Sequence, residues 1–196
     1  MLGDGSIGIY NCKAGNKVKK QYQLKVTLDS RNKWYIQHVS RLMSRVLKVK
    51  PVVYYRRGEN TADVRTFRRD ALLYAVNGLG LKISPKVNRM RIPDSYLNGE
   101  LDLPVLKGMF DTDGSVTVFK NNRIIYPRLE IKICKSPAQN QIIQVLDKYN
   151  FNYRIQALDK GSIRIRLSGR KELARWFDLI GSSNCTHIEK SELFLT

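Results

Sequence analysis

The decapeptide Leu106 to Ser115 reads L-K-G-M-F-D-T-D-G-S. Pro104, just upstream, suits a first helical turn because its missing amide would have had no intrahelical partner. The stretch is therefore expected to be a helix that ends at two carboxylates and a glycine, immediately before an alternating strand, V-T-V-F, from Val116 to Phe119. A shorter copy, M-L-G-D-G-S-I, opens the chain at Met1, and Asp4 and Asp113 stand 109 residues apart in a chain of 196. That spacing predicts a tandem duplication, with residues 1–98 as one repeat and 99–196 as the other, divided at Asn98-Gly99-Glu100.

Working outward, the same order of elements recurs in each half. In the first, a strand from Ser6 to Tyr10 and a turn around Gly15 lead to Tyr22, Leu24, Val26 and Leu28, which alternate with Gln23, Lys25 and Thr27. That is the period of a strand with one face in the core and the other free. Asp29 or Ser30 is placed to cap a helix carrying Tyr35, Val39, Leu42, Met43, Val46 and Leu47 at helical spacing, stopped by Pro51. Strands over Val52–Arg57 and Asp63–Phe67 and a short helix over Arg68–Asn77 follow.

The second half repeats this pattern. Leu129, Ile131 and Ile133 alternate with Arg128, Glu130 and Lys132 in a strand over Ile125–Cys134, and Ser136-Pro137 opens a helix that buries Ile142, Val145, Leu146 and Tyr149. Strands over Asn152–Ala157 and Ile163–Leu167 and a last helix over Lys171–Ile180, stopped by Gly181, complete the repeat.

Composition narrows the partner. Apolar residues make up 42% of the chain, enough for a sizeable core, and 35 Lys and Arg against 17 acids give a formal charge of +18. Such an excess favours a polyanion, nucleic acid first, with an anionic membrane surface and plain solubility as rivals. The charge is uneven, +14 over residues 1–98 and +4 over 99–196. No apolar run reaches the length of a membrane-spanning helix, and no signal peptide is legible. Cys12, Cys134 and Cys185 are scattered and odd in number, which disfavours a disulfide framework or a structural zinc site. An intracellular protein, cytoplasmic or in an organellar nucleoid, is expected. His38 and His187 are too isolated to suggest an imidazole site.

Leu106–Ser115 resembles the LAGLIDADG signature of homing endonucleases, matching outright at Leu106, Gly108, Asp111, Asp113 and Gly114 and departing at Lys107 and Thr112. Gly3-Asp4-Gly5-Ser6-Ile7 resembles the G-D-G-x-I end of a first copy. The resemblance implies an α+β fold of tandem pseudo-two-fold repeats, each αββαββα, forming a saddle of antiparallel sheets over DNA. It implies that Asp4 and Asp113 are the catalytic pair and hold Mg2+, with Ca2+ or Mn2+ able to substitute, aided by backbone oxygens at Gly3 and Thr112. Phosphodiester hydrolysis needs an activated water and neutralised charge on the scissile phosphate, which a carboxylate-bound Mg2+ supplies together.

By the same resemblance Lys86, Lys135 and Lys190 take basic positions around the two sites, where they would stabilise the phosphate or organise water. The first-repeat counterpart of Lys135 is Asp29 or Ser30, neither of them basic. Asp111, whose first-repeat match is Leu2, is assigned a helix-end or outer-shell role.

The outward sheet faces are expected to read DNA. The candidates are Gln23, Lys25, Thr27, Tyr55, Arg57 and Arg65 in the first repeat, and Arg128, Glu130, Lys132, Arg154, Arg164 and Arg166 in the second. For the arginines, ordinary solvated surface is the competing reading. The implied function is a site-specific double-strand DNA endonuclease with a long target, intron-encoded because no protein-splicing elements are visible, leaving 3′ overhangs. An RNA-binding intron maturase and an inert DNA-binding protein are the alternatives, with intron RNA as a second partner for the former.

The chain departs from the family pattern at its start, where only Met1 to Gly3 precede Asp4. Residues upstream of Met1 are the favoured explanation and would make a monomer. Completion by a second chain, as a homodimer, is next, and a damaged domain last.

Overall fold

A computed structural model describes residues 3–14, 17–121 and 124–195. The expectations for Met1, Leu2 and the Gly15 turn lie outside them. The chain divides into two compact units, Met1–Lys86 and Val87–Thr196.

In the first unit, β1 (Gly5–Ala14) and β2 (Lys17–Asp29) form a long hairpin, followed by α1 (Lys33–Leu47), β3 (Val52–Tyr55), β4 (Thr61–Thr66) and α2 (Arg69–Leu73), which runs on into a π-helical turn, Tyr74–Gly78. The four strands make one antiparallel sheet in the order β1-β2-β4-β3. Leu24, Val26, Leu28, Ala62 and Val64 line the face on which α1 and α2 lie. The α1 cap is Asn32, whose side chain accepts from the Tyr35 amide at 3.1 Å, rather than Asp29 or Ser30. Asp29 is the last residue of β2, and its carboxylate is taken by Arg31 at 2.6 Å. Leu42 and Val46, expected in the core, are exposed; α1 buries Tyr35, Ile36, Val39 and Met43 instead.

The second unit begins with α3 (Asp102–Asp113), then β5 (Gly114–Asn121), β6 (Ile124–Ile133), α4 (Ala138–Lys148), β7 (Arg154–Ala157), β8 (Ile163–Ser168) and α5 (Arg170–Leu179). Its sheet order, β5-β6-β8-β7, repeats that of the first. Ser136 does not cap α4; its hydroxyl donates to the Cys134 carbonyl at 3.0 Å. One further helix, α6 (Cys185–Leu195), was not anticipated from the sequence. Its buried positions, His187, Ser191 and Phe194, include two polar residues, so no apolar stripe announces it.

The repeats agree in register as well as order. The first sheet aligns Gly5, Val26, Val64 and Val53 across its four strands, and the second aligns Gly114, Ile131, Ile165 and Ile155. Both units therefore share the ββαββα order and strand register, with α3 heading the second and α6 appended to it.

The link from Val87 to Asn98 belongs to the second unit, so the division falls at 86/87 rather than 98/99. The Asn88 amide donates to the Lys135 carbonyl at 2.6 Å and the Ala138 amide to the Met90 carbonyl at 3.1 Å. Gln141 takes both main-chain groups of Ile92, at 2.9 and 2.8 Å. Met90 and Ile92 are buried, so the segment is a packed strap rather than a solvated linker.

Candidate functional site

Each sheet opens at an acidic residue. In the second unit α3 fully buries Leu106, Met109 and Phe110, each worth about 1.5–3 kcal/mol relative to exposure. The helix then passes straight into β5 at Gly114, whose backbone is extended (φ −93°, ψ 168°). A Cβ on Gly114 would lie 2.3 Å from the Phe110 carbonyl oxygen, so the D-G step admits no larger residue without movement of the helix end. Asp113, half-buried, thus comes last in the helix and next to the strand. The Thr112 hydroxyl turns back onto the helix, donating to the Gly108 carbonyl at 3.2 Å, and lies 3.4 Å from Asp113 Oδ2. Gly108 is exposed, and among the described residues nothing lies within 4 Å of where its Cβ would be.

Asp111 is buried on the opposite side of this helix end. Its Oδ1 accepts from the Ser182 hydroxyl at 2.5 Å, both its carboxylate oxygens accept from the Ser183 amide at 3.0 Å, and its carbonyl accepts from Asn184 Nδ2 at 3.1 Å. Burial pushes the Asp111 carboxyl up, against the pull of the Ser182 and Ser183 hydrogen bonds and of Lys107. His187, in the first turn of α6, lies 3.4 Å from Ser182 Oγ through Nδ1 and packs on Phe110 at 4.6 Å. Burial and the nearby Lys190 charge lower its pKa to about 4. Sequence reasoning passed over His187 because Phe110 is distant in the chain and Ser182 carries no signal of its own.

The first unit makes its junction differently. The Asp4 carbonyl accepts from the Thr27 amide at 3.3 Å, and Ile7 exchanges hydrogen bonds with Ser84 through its amide and its carbonyl. Lys86 Nζ donates to the Gly3 carbonyl. Asp4 is exposed, yet the surrounding protein removes enough solvent to push its carboxyl up, against the opposing charge of Lys86. Lys86 thus lies beside the first acidic residue. It occupies one lone pair of Gly3, the backbone oxygen nominated as a metal donor.

The other two lysines are placed differently. Lys190 lies exposed within α6, after α5, and its charge acts on His187. Lys135 follows β6, at the end of the sheet where Gly114 meets Ile131, and its side chain lies where a Cβ on Gly161 would be. Because Gly5 pairs with Val26 as Gly114 pairs with Ile131, the register makes Ser30 the counterpart of Lys135.

The sheet faces turned away from the helices carry most of the remaining candidates. In the first unit Gln23, Lys25, Thr27 and Arg65 lie on this open face. Tyr54 is opposite Asp63 and Thr27, while Tyr55 aligns with Ala62 and Leu28 on the helix-covered side. Arg57 lies beyond the strand in a turn, so the expectation for Tyr55 and Arg57 is displaced by one residue, to Tyr54 and Arg56. Arg56 holds the buried Asp63 through two nitrogens at 3.1 Å, and Thr27 adds a hydrogen bond at 2.7 Å. Burial works to raise the Asp63 carboxyl, but these bonds and the Lys25 charge outweigh it and hold it below the usual range. Arg65 lies over Tyr54 at 4.3 Å.

In the second unit Arg128, Glu130, Lys132, Arg154, Arg164 and Arg166 all share the open face. Glu130 draws in three guanidiniums, from Arg166 at 2.7 Å and from Arg128 and Arg164 at 3.8 Å. Arg128 also lies over Phe119 at 4.2 Å, an aromatic platform that was not singled out from the sequence. A depression of about 480 Å³ opens among Tyr126, Arg128, Tyr153, Arg154, Arg166 and Ser168.

This arrangement defines a class. A family model described as a LAGLIDADG-like domain matches residues 100–181, and the chain carries that domain. Its two half-domains with antiparallel sheets have the LAGLIDADG fold seen in solved homing endonucleases. The I-LtrWI endonuclease bound to its target DNA superposes with a TM-score of 0.65 at 9% identity, covering 98% of this chain and 86% of its own. I-SmaMI, bound to uncleaveable DNA, gives 0.67 at 10% identity over 97% and 85%. Mesophilic variants of I-DmoI give 0.60 at 22% identity over 92% and 89%. No curated protein sequence matches the chain. Among the described residues no three His, Cys, Asp or Glu side chains are grouped to hold a metal, and no helix is long and apolar enough to cross a membrane.

Proposed function

We propose that the chain is a site-specific, divalent-metal-dependent DNA endonuclease that cuts both strands of a long duplex target. The observation carrying this reading is the duplicated junction. Asp4 and Asp113 immediately precede Gly5 and Gly114, register-equivalent residues of two sheets of identical order, and each sheet leaves one face open and basic.

The donor set suits Mg2+ better than a dedicated cage would. One carboxylate per site is enough for an ion that keeps several waters and takes further oxygens from the phosphate it acts on. Bound there, the ion would lower the pKa of an attacking water and neutralise charge on the scissile phosphate, leaving a 3′ overhang if the cuts are offset across the minor groove. Asp4 and Asp113 would hold the metal, and Lys86 would lend charge beside Asp4. The open faces would then read base edges in the major groove, the donor-only arginines of the second unit fitting guanine O6 and N7.

The test is incubation of the purified chain with uninterrupted and interrupted alleles of its own locus, in Mg2+ and in Ca2+. One cut per strand in the uninterrupted allele, dependent on Mg2+, is expected; tight binding without any cut would sink the nuclease reading. Asp113→Asn should slow one strand by about a hundredfold or more while changing affinity little. Equal rates on both strands would remove Asp113 from the chemistry.

One observation favours a second reading, an RNA-binding maturase. The outer side of α1 carries exposed Lys33, Arg41 and Arg45, no acid anywhere along the helix, and exposed Trp34 stacked on His38 at 5.5 Å. Cations beside an aromatic platform suit unpaired bases. Intron RNA that binds undiminished when the open-face arginines are removed, and is lost with Trp34→Ala, would support it.

A further inference from the structure

The hydrogen bonds around Asp111 do more than end a helix. Asp113 cannot be capped in the usual way, because α3 runs into an extended Gly114 with no left-handed residue to turn the chain and satisfy the last carbonyls. The brace comes from elsewhere in the same unit. Two residues before Asp113, every oxygen of Asp111 is held by the 182–184 segment, at 2.5 to 3.1 Å. Three residues before it, Phe110 packs against the His187 ring at 4.6 Å, and Phe110 in turn fills the space that a Cβ on Gly114 would take. The two grips are joined, since Ser182 Oγ lies 3.4 Å from His187 Nδ1 and accepts the Asn184 amide at 3.0 Å at the entry to α6.

We propose that Asp111, Ser182 and His187 are positioning residues that fix the end of α3 and with it the Asp113 carboxylate, so that cleavage of the strand Asp113 serves depends on the 182–187 segment that leads into α6. The inference rests on the nuclease reading. Asp111 is turned into the protein and donates nothing to the metal or the DNA. Burying a carboxylate costs desolvation that its hydrogen bonds must offset. What it supplies in return is a rigid orientation for the next acidic side chain, where an ångström of misplacement is enough to slow a reaction strongly. The first unit has no such cluster among its described residues. There the main chain at Gly3 and Ile7 is held by Lys86 and Ser84.

The experiment compares the two strands of one duplex carrying the uninterrupted allele. Asp113→Asn identifies the strand that Asp113 serves. Asp111→Ala is expected to slow that strand by about tenfold to a hundredfold and the other by no more than about twofold. Asp111→Asn keeps an acceptor for Ser182 and should recover part of the loss, and Ser182→Ala, a milder change, should show the same strand bias. Hydrogen exchange at the Asp113–Val116 amides, read without DNA or metal, should quicken in Asp111→Ala. Equal slowing of both strands, or quickened exchange with an unchanged strand ratio, overturns the proposal by making the cluster merely structural. A parent protein that cuts neither strand defeats the nuclease reading, and this inference with it. A parent that cuts both strands, with the ratio unmoved in Asp111→Ala, defeats this inference alone.

Discussion

The two units share strand order and register, yet they secure their acidic junctions and fill their cores with different chemistry. The first holds Gly3 and Ile7 with Lys86 and Ser84, and its clusters are mostly aliphatic, with Tyr35 buried in one and Tyr22 packed against the other. The second holds Asp111 with the 182–184 segment and Phe110 with His187 of α6, and packs Phe110 against Trp176 at 5.0 Å, with Phe151 5.6 Å from the same indole. A duplicated backbone thus conserves where the strands lie while leaving open how each end is fixed. The difference teaches that the register carries the repeat, and that the side chains around it are locally replaceable.

The strongest way to break this comparison is to empty the second core. Phe110 is fully buried and touches Trp176 and His187, so Phe110→Ala should destabilise the second unit by about 3–5 kcal/mol. Hydrogen exchange should quicken across α3, β5 and α6 while the first sheet keeps its protection. Equal loss in both sheets would mean that the units unfold as one.

A smaller effect follows from the buried imidazole. His187 has its pKa lowered from 6.5 to about 4 by burial and by Lys190, with Asp111 linked to it through Ser182. In the unfolded chain it takes a proton near pH 6.5, whereas in the fold it stays neutral until about 4. Stability of the second unit therefore falls as pH drops through that window, by up to about 3 kcal/mol. Asp111, with its carboxyl pushed up, contributes the opposite slope and is common to parent and variant. Denaturant midpoints measured at several pH values should show a shallower dependence in His187→Gln than in the parent. Identical slopes would place the imidazole in water.

Much of this was legible in the chain. The alternation of Leu24, Val26 and Leu28 with polar residues, and of Leu129, Ile131 and Ile133 with charged ones, gave both central strands and their open faces, because one-sided burial imposes a period of two. The D-G step at Asp113 marked the helix–strand junction. What escaped was set by partners distant in sequence. The α6 helix buries His187 and Ser191, so it has no apolar stripe, and Asn32 caps α1 because Arg31 has claimed Asp29. The Tyr54–Tyr55 phase depends on the pairing of β3 with β4, which adjacent tyrosines do not reveal. The packing of the Val87–Asn98 strap through Met90 and Ile92 has no periodic signal in the sequence.

The finest contrast lies between the two acids of the open faces. Asp63 is buried and depends on one guanidinium, Arg56, with Thr27 in support, whereas Glu130 is shared by Arg128, Arg164 and Arg166. Removing the single partner leaves a buried carboxylate under-satisfied, so Arg56→Ala should cost about 1–3 kcal/mol. Removing one of three leaves Glu130 paired, and Arg166→Ala should cost under about 1 kcal/mol. The pH dependence should separate them as well. Asp63 is held below its ordinary range, so its contribution is complete above about pH 4 and is lost as pH falls through its lowered folded value. That acid-side loss should shrink in Arg56→Ala and persist in Arg166→Ala. Equal costs for the two variants would show that sharing an acid among several arginines confers no redundancy, and that Glu130 is tied to Arg166 as tightly as Asp63 is to Arg56.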